Sequence, residues 1–235
     1  MKLLLFDIDG TLIHTAGAGK VSMERAFEQI YGIKNGFHDI QMMGRTDPSI
    51  VMDALSSHQL EWEDEKVEYF RKLYFKLLKK EIQLPRPGKQ LCPGIDSLLR
   101  LLDEQSDIII GLLTGNWLQS AFIKLRFFGI DHYFRIGAYA DDSANREELV
   151  PIVIERLMKD QQVQIEKHNI YIIGDTPFDI RCAKPHGVRT IAVATGFHSI
   201  EDLALEKPDY LFKNLLQTEM VLHIFSQPRQ TLVSI

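Results

Sequence analysis

Apolar and polar positions follow two rhythms along this chain, and the change between them divides it. Leu3-Leu4-Leu5 runs straight into Phe6-Asp7-Ile8-Asp9-Gly10-Thr11, which predicts a short buried strand delivering two carboxylates into a glycine turn. From residue 15 to about 84 the apolar positions then recur at helical spacing. Met23, Ala26, Phe27 and Ile30 predict a helix over 21–31. Gly44-Arg45-Thr46-Asp47-Pro48 predicts a loop and a helix over 49–55, with Thr46 or Asp47 as its N-cap and Pro48 in the first turn. Trp62, Val67, Phe70, Leu73, Tyr74, Leu77 and Leu78 predict a helix of about six turns over 61–82. No strand is expected here, and Pro85-Arg86-Pro87-Gly88 closes the region.

Beyond Pro93-Gly94 strands alternate with helices. Helices are expected over 95–102, 117–128, 148–158 and 178–184, and strands over 107–113, 134–138, 170–173, 190–194 and 210–212. The strands are near-continuously apolar, as a sheet covered by helices on both faces requires. The expected fold is α/β: a doubly wound parallel sheet formed by residues 1–14 and 88–235, with an α-helical domain inserted over 15–87.

Three of the expected strands end in related polar residues: Asp7-Ile8-Asp9, Thr114-Gly115-Asn116, and Gly174-Asp175-Thr176-Pro177-Phe178-Asp179. Ligands of open parallel sheets bind beyond the carboxyl ends of the strands, so chemistry is expected at one edge. Four carboxylates gathered there would repel one another strongly and call for a cation, and an all-oxygen donor set favours Mg²⁺ over zinc.

Composition narrows the class. With 27 basic and 32 acidic residues the formal charge is −5, which supports neither a nucleic-acid nor a membrane surface. Asp7 and Asp9 interrupt any signal-peptide apolar core, and no run is apolar enough to span a bilayer. Cys92 and Cys182 show no metal spacing and no disulfide framework, so a cytoplasmic setting is expected, with both thiols in or near the core. Gly17-Ala18-Gly19-Lys20 lacks the spacing and the Lys-Ser/Thr ending of a phosphate loop. Oligomeric state is not legible.

In order and at these spacings, the motifs resemble those of the haloacid dehalogenase superfamily, and in particular its phosphatases with a helical cap, phosphoglycolate phosphatases among them. The first motif is Asp7-Ile8-Asp9-Gly10-Thr11, the second Leu112-Leu113-Thr114-Gly115-Asn116, and the fourth Gly174 to Asp179. The third departs from the family pattern: where a Lys is usual, Ala140-Asp141-Asp142-Ser143-Ala144-Asn145-Arg146 offers Arg146, while Lys167 and Lys184 fit the position less well. A guanidinium fork is not a Lys point charge, although it could meet phosphate and carboxylate at once.

The resemblance implies a Mg²⁺-dependent phosphomonoester hydrolase acting on a small phosphorylated metabolite, phosphoglycolate or a sugar phosphate. Asp7 would be the nucleophile and Asp9 the acid/base catalyst. Asp7, the backbone carbonyl of Asp9 and Asp175 would hold Mg²⁺, and Asp179 would support the metal or orient Arg146. Thr114 and Arg146 would hold the phosphoryl oxygens, with Gly115 and Asn116 beside them. Arg45 would face the substrate from the cap, unless it pairs with Asp47; His14 has a weaker case. Asp9 argues against dehalogenase chemistry. A phosphomutase and a non-hydrolytic phosphoacceptor module are the alternatives.

Overall fold

A computed structural model describes residues 1–226 of the 235. Six strands form a fully parallel sheet: β1 (Lys2–Phe6), β4 (Ile108–Leu113), β5 (Ile136–Ala138), β6 (Ile170–Gly174), β7 (Arg189–Val193) and β8 (Tyr210–Phe212), in the order β5-β4-β1-β6-β7-β8. Two further strands, β2 (Ile13–His14) and β3 (Gln90–Leu91), pair antiparallel. The expected doubly wound fold is what the chain adopts.

Alternation along β1 explains why both faces are covered. Leu4 and Phe6 join a core with α4 (Ile95–Asp103), α5 (Leu118–Phe127) and α9 (Thr218–Ser226), whereas Leu3 and Leu5 face α6 (Leu149–Gln161) and α7 (Pro177–Ala183). Because both faces are apolar, hydrophobicity alone does not set the register of β1; the ladder does. Phe6 lies level with Leu112 on β4 and Ile173 on β6, so the residues that follow all three strands project from one edge. The chain runs outward through β4 and β5, then returns to the other side of β1 at β6. The edge of β1 and β6 is therefore the topological switch point.

Between β2 and β3 lie α1 (Ala18–Tyr31), α2 (Asp47–Ser57) and α3 (Asp64–Glu81). They share their own core, in which Phe27, Phe37, Phe70 and Tyr74 are fully or nearly fully buried. That core extends onto Trp117, at the entry to α5, where the indole packs on the rings of Tyr74 and Phe75.

Some expectations shift. The first helix begins at Ala18 rather than 21, entered from Gly17 in a left-handed conformation (φ +80°). Strand β5 starts at 136 rather than 134, and a 3₁₀ turn over Arg146–Glu148 precedes α6. The pair β2–β3, α8 (Ile200–Leu205) and α9 were not expected. Among the described residues no helix is long and apolar enough to cross a membrane.

Candidate active site

Asp7 stands one residue beyond β1, and its N–H still extends the ladder to the Ile173 carbonyl at 2.9 Å, so the sheet fixes its backbone. Its side chain is 7% exposed. The turn that follows needs Gly10, at φ +88°: a Cβ there would lie 2.4 Å from Asp175 Oδ2. Glycine therefore admits the second carboxylate beneath the turn, where Thr11 Oγ1 donates to Asp175 Oδ1 at 2.9 Å.

Asp179 belongs to the first turn of α7, whose Thr176–Asp179 capping box turns the carboxylate inward; its Oδ2 accepts from Thr176 N at 3.0 Å and Thr176 Oγ1 at 2.6 Å. Carboxylate oxygens of Asp7, Asp175 and Asp179 all lie within 4.8 Å of one another, and all three side chains are buried. Arg146 answers them. Its Nη2 donates to Asp7 Oδ1 at 3.0 Å, to Asp179 Oδ1 and to the Leu113 carbonyl at 3.4 Å, while Nη1 reaches the Gly44 carbonyl at 3.2 Å. The Nε of Arg146 is buried with no partner among the described residues.

One guanidinium does not balance three carboxylates. Burial pushes the Asp7 carboxyl up to about 6, against the pull of Arg146 and with the push of Asp179 and Asp9. Burial also raises Asp175 well above the usual carboxylate range, with Asp7 and Asp179 adding to it. The Arg146 guanidinium, though penalised by burial, is held more firmly charged by Asp179 and Asp7.

Asp9 leaves this group. Its side chain is 43% exposed and turns toward α5, where Oδ2 accepts from Lys124 Nζ at 2.5 Å and Asn116 Nδ2 at 2.9 Å. The fourth carboxylate of the sequence motif thus lies apart from the other three. Thr114 is fully buried, and its Oγ1 accepts from Asn116 Nδ2 at 2.9 Å and Asn116 N at 3.3 Å.

The loop before α2 is stitched onto these same strand ends. Thr46, the N-cap of α2, donates Oγ1 to the Ala144 carbonyl at 2.7 Å, and Asp47 N donates to the Gly115 carbonyl at 2.7 Å. Gly115 is required because a Cβ would lie 2.1 Å from the Arg45 carbonyl oxygen. Arg45 does not pair with Asp47. It pairs with Asp53, one face of α2 further along, because the Asp47 carboxylate is committed elsewhere, accepting from Trp117 N at 2.9 Å and Ser120 Oγ at 3.2 Å at the start of α5. The loop Arg45 keeps its place on the cavity wall.

Burial pushes the Asp47 carboxyl up to about 6 despite Lys124 and these hydrogen bonds. A raised folded-state value means that protonated Asp47 is favoured more in the folded than in the unfolded chain. Its contribution to stability is complete below about pH 4 and is lost as pH rises through about 6, for a total of at most about 3 kcal/mol. Asp47→Asn is expected to flatten this slope, so that its melting temperature gains several degrees on wild type between pH 5 and pH 7.5, as thermal unfolding at both values would read. Parallel melting curves would contradict it.

Asp7, Asp9, Asp175 and Arg146 open onto a cavity of about 610 Å³ between the strand ends and the helices of 18–81. Gly115, Asn116, His14, Lys20 and Lys124 share its wall; Met23, Ile40, Met42, Met43, Ile50 and Phe197 give much of it an apolar character. Sequence reasoning missed Lys124 and gave Asp47 only a capping role or a pairing with Arg45. Lys124 had a local signal: a Lys on the inward stripe that carries Ala121 and Leu125.

A parallel sheet with its acidic cluster at the switch point, faced by an arginine and roofed by helices, defines an α/β protein of the open, doubly wound kind with a ligand site at its sheet edge. The sequence profile of haloacid dehalogenase-like hydrolases matches residues 4–193, and the chain belongs to that family. It is similar to a phosphoglycolate phosphatase of Vibrio vulnificus, 26% identical over 225 residues that cover 92% of this chain and 94% of that protein. It is also similar to the pyrophosphatase PpaX of Halalkalibacterium halodurans, 27% identical over 227 residues, covering 92% and 94%. Among solved structures, a predicted phosphoglycolate phosphatase from Haemophilus somnus shares the fold at TM-score 0.69 and 19% identity, covering 94% of this chain and 98% of that one. A protein from Thermotoga maritima provisionally assigned as a β-phosphoglucomutase does so at 0.63 and 19%, covering 95% and 99%.

Proposed function

We propose that this protein is a Mg²⁺-dependent phosphatase that hydrolyses small phosphomonoesters through a phosphoryl group carried on Asp7. The observation that carries this reading is the position of Asp7: buried at the switch point, flanked by Arg146 and Asp175, and open to a cavity large enough for a phosphorylated metabolite.

The donor set fits a hard divalent cation. Asp7 and Asp175 carry raised carboxyls in a cluster with more negative than positive charge, which is the electrostatic condition a bound cation relieves. Asp7, Asp175 and the backbone carbonyl of Asp9 would hold Mg²⁺, which when bound neutralises phosphate and nucleophile together. Asp179 is occupied by Arg146 and Thr176, which suits it to orienting Arg146 rather than to binding the metal directly.

In the first step an Asp7 carboxylate oxygen attacks phosphorus, the ester P–O bond breaks, and its electron pair goes to the leaving oxygen, which takes a proton from Asp9. In the second step Asp9 takes a proton from water, whose oxygen attacks the same phosphorus and releases Asp7. Arg146, on the cavity wall beside Asp7, would hold the phosphoryl oxygens. Thr114, expected to hold a phosphoryl oxygen itself, is fully buried with its Oγ1 accepting from Asn116, so in this reading it would instead position Gly115 and Asn116 at the phosphoryl group. Residues 15–87 would act as the cap that excludes water, with Arg45 on its substrate-facing loop.

The names of the relatives make phosphoglycolate and pyrophosphate the first compounds to assay, followed by sugar phosphates. Phosphate release from such a panel and from p-nitrophenyl phosphate should vanish in EDTA and return with excess Mg²⁺. Undiminished release in EDTA would overturn the metal assignment, and no release from any ester with Mg²⁺ would overturn the phosphatase reading.

A further inference from the structure

Lys124 is 4% exposed, at a position in α5 where the helical pattern calls for an apolar side chain. Burying an ammonium costs several kcal/mol unless an anion and hydrogen bonds compensate it, and here they do. Its Nζ donates to Asp9 Oδ2 at 2.5 Å and to Asn116 Oδ1 at 2.6 Å, while Asn116 Nδ2 donates to the same Asp9 oxygen at 2.9 Å. The three side chains close a ring. Asp9 itself is 43% exposed on the cavity wall, so water could solvate it without any buried cation. The ring therefore solves a problem other than the solvation of Asp9. The first turn of α1 lies over it: a Cβ on Gly19 would sit 3.6 Å from Lys124 Nζ and 3.8 Å from the Tyr74 hydroxyl, in ordinary contact.

We infer that Lys124 is a positioning residue for proton transfer. Together with Asn116 it saturates Asp9 Oδ2 with two donors and locks the plane of the carboxyl group. Oδ1 is then the oxygen that carries the proton to the departing ester oxygen as the P–O bond breaks. This rests on Asp9 as the proton donor in the function proposed above. Lys124 acts through Asp9, and its loss bears on reactions in proportion to their need for that proton.

Leaving groups separate this role from a structural one. p-Nitrophenolate departs as a stable anion, whereas an alkoxide needs the proton, and kcat/KM reports only steps up to phosphorylation of Asp7. The experiment measures kcat/KM for p-nitrophenyl phosphate and for the best alkyl phosphate of the panel, with Mg²⁺, on wild type, Lys124→Met, Lys124→Arg and Asp9→Asn. The ratio of the two constants within one preparation cancels any loss of folded enzyme. Lys124→Met is expected to shift that ratio against the alkyl ester by about tenfold or more, in the direction of Asp9→Asn, with Lys124→Arg between it and wild type. If the Met variant yields no folded protein, Lys124→Gln takes its place with the same expected shift. Proportional loss on both substrates, or a rise in KM common to both, while Asp9→Asn discriminates, would overturn the role of Lys124 alone. An Asp9→Asn enzyme that does not discriminate would overturn the acid assignment and this inference with it.

Discussion

Asp7→Asn is expected to lose phosphate release by about 10³-fold or more while folding at least as well as wild type. The amide is nearly isosteric and its oxygen still accepts from Arg146, but it has no carboxylate oxygen with which to attack phosphorus. The stability half follows from the cluster. Asp7 is one of three buried carboxylates against one guanidinium, and its carboxyl is already pushed up to about 6, so removing its charge relieves repulsion at pH 7. Steady-state assay alongside thermal unfolding reads both. Activity within tenfold of wild type would sink Asp7 as nucleophile; a lower melting temperature would sink the view of the cluster as overcharged.

Arg146→Met is expected to fail in both respects. The guanidinium is 7% exposed and joins Asp7, Asp179 and two backbone carbonyls from separate segments. Its removal leaves buried carboxylates without their counter-charge, a loss of about 3–5 kcal/mol that would lower the melting temperature by roughly 10 °C. Activity should fall by about 10²-fold or more, because the phosphoryl oxygens lose their cation. Arg146→Lys restores the charge but not the fork, so it should recover more than half of the lost stability and lie between Met and wild type in kcat. A Met variant as stable as wild type would show that the cluster does not depend on this residue.

The opposite signs expected for Asp7 and Arg146 come from one imbalance, which was visible in the sequence as four aspartates at two strand ends. Strand ends are legible because a buried parallel strand is a short apolar run, and the residue after it must lie at the sheet edge. The departure of Asp9 from the group was not legible. It depends on Lys124, more than a hundred residues away, and the helical pattern of 117–128 registers Lys124 only as a charge out of place. Asp47 was hidden for a similar reason. Asp and Thr before a Pro signal a helix start, and Thr46 supplies the cap; nothing local says that the neighbouring carboxylate receives the N–H at the entry to another helix. Arg45 was read against its nearest acid, Asp47, when α2 brings Asp53 to it. The strands β2 and β3 escaped because two residues carry no periodicity.

That small ladder joins the turn to the helices. Asp7 is held by the central sheet, but the turn that carries Asp9 is tied at Gly10 N to the Ile13 carbonyl and, through Leu12 O, to Cys92 N beside β3. The strands that carry the chain into and out of the helical region thus begin where the proton donor ends. In the function proposed above, a cap movement would therefore reach the backbone of the Asp9 turn before it reached Asp7, and the step it would time is protonation of the leaving oxygen rather than attack on phosphorus.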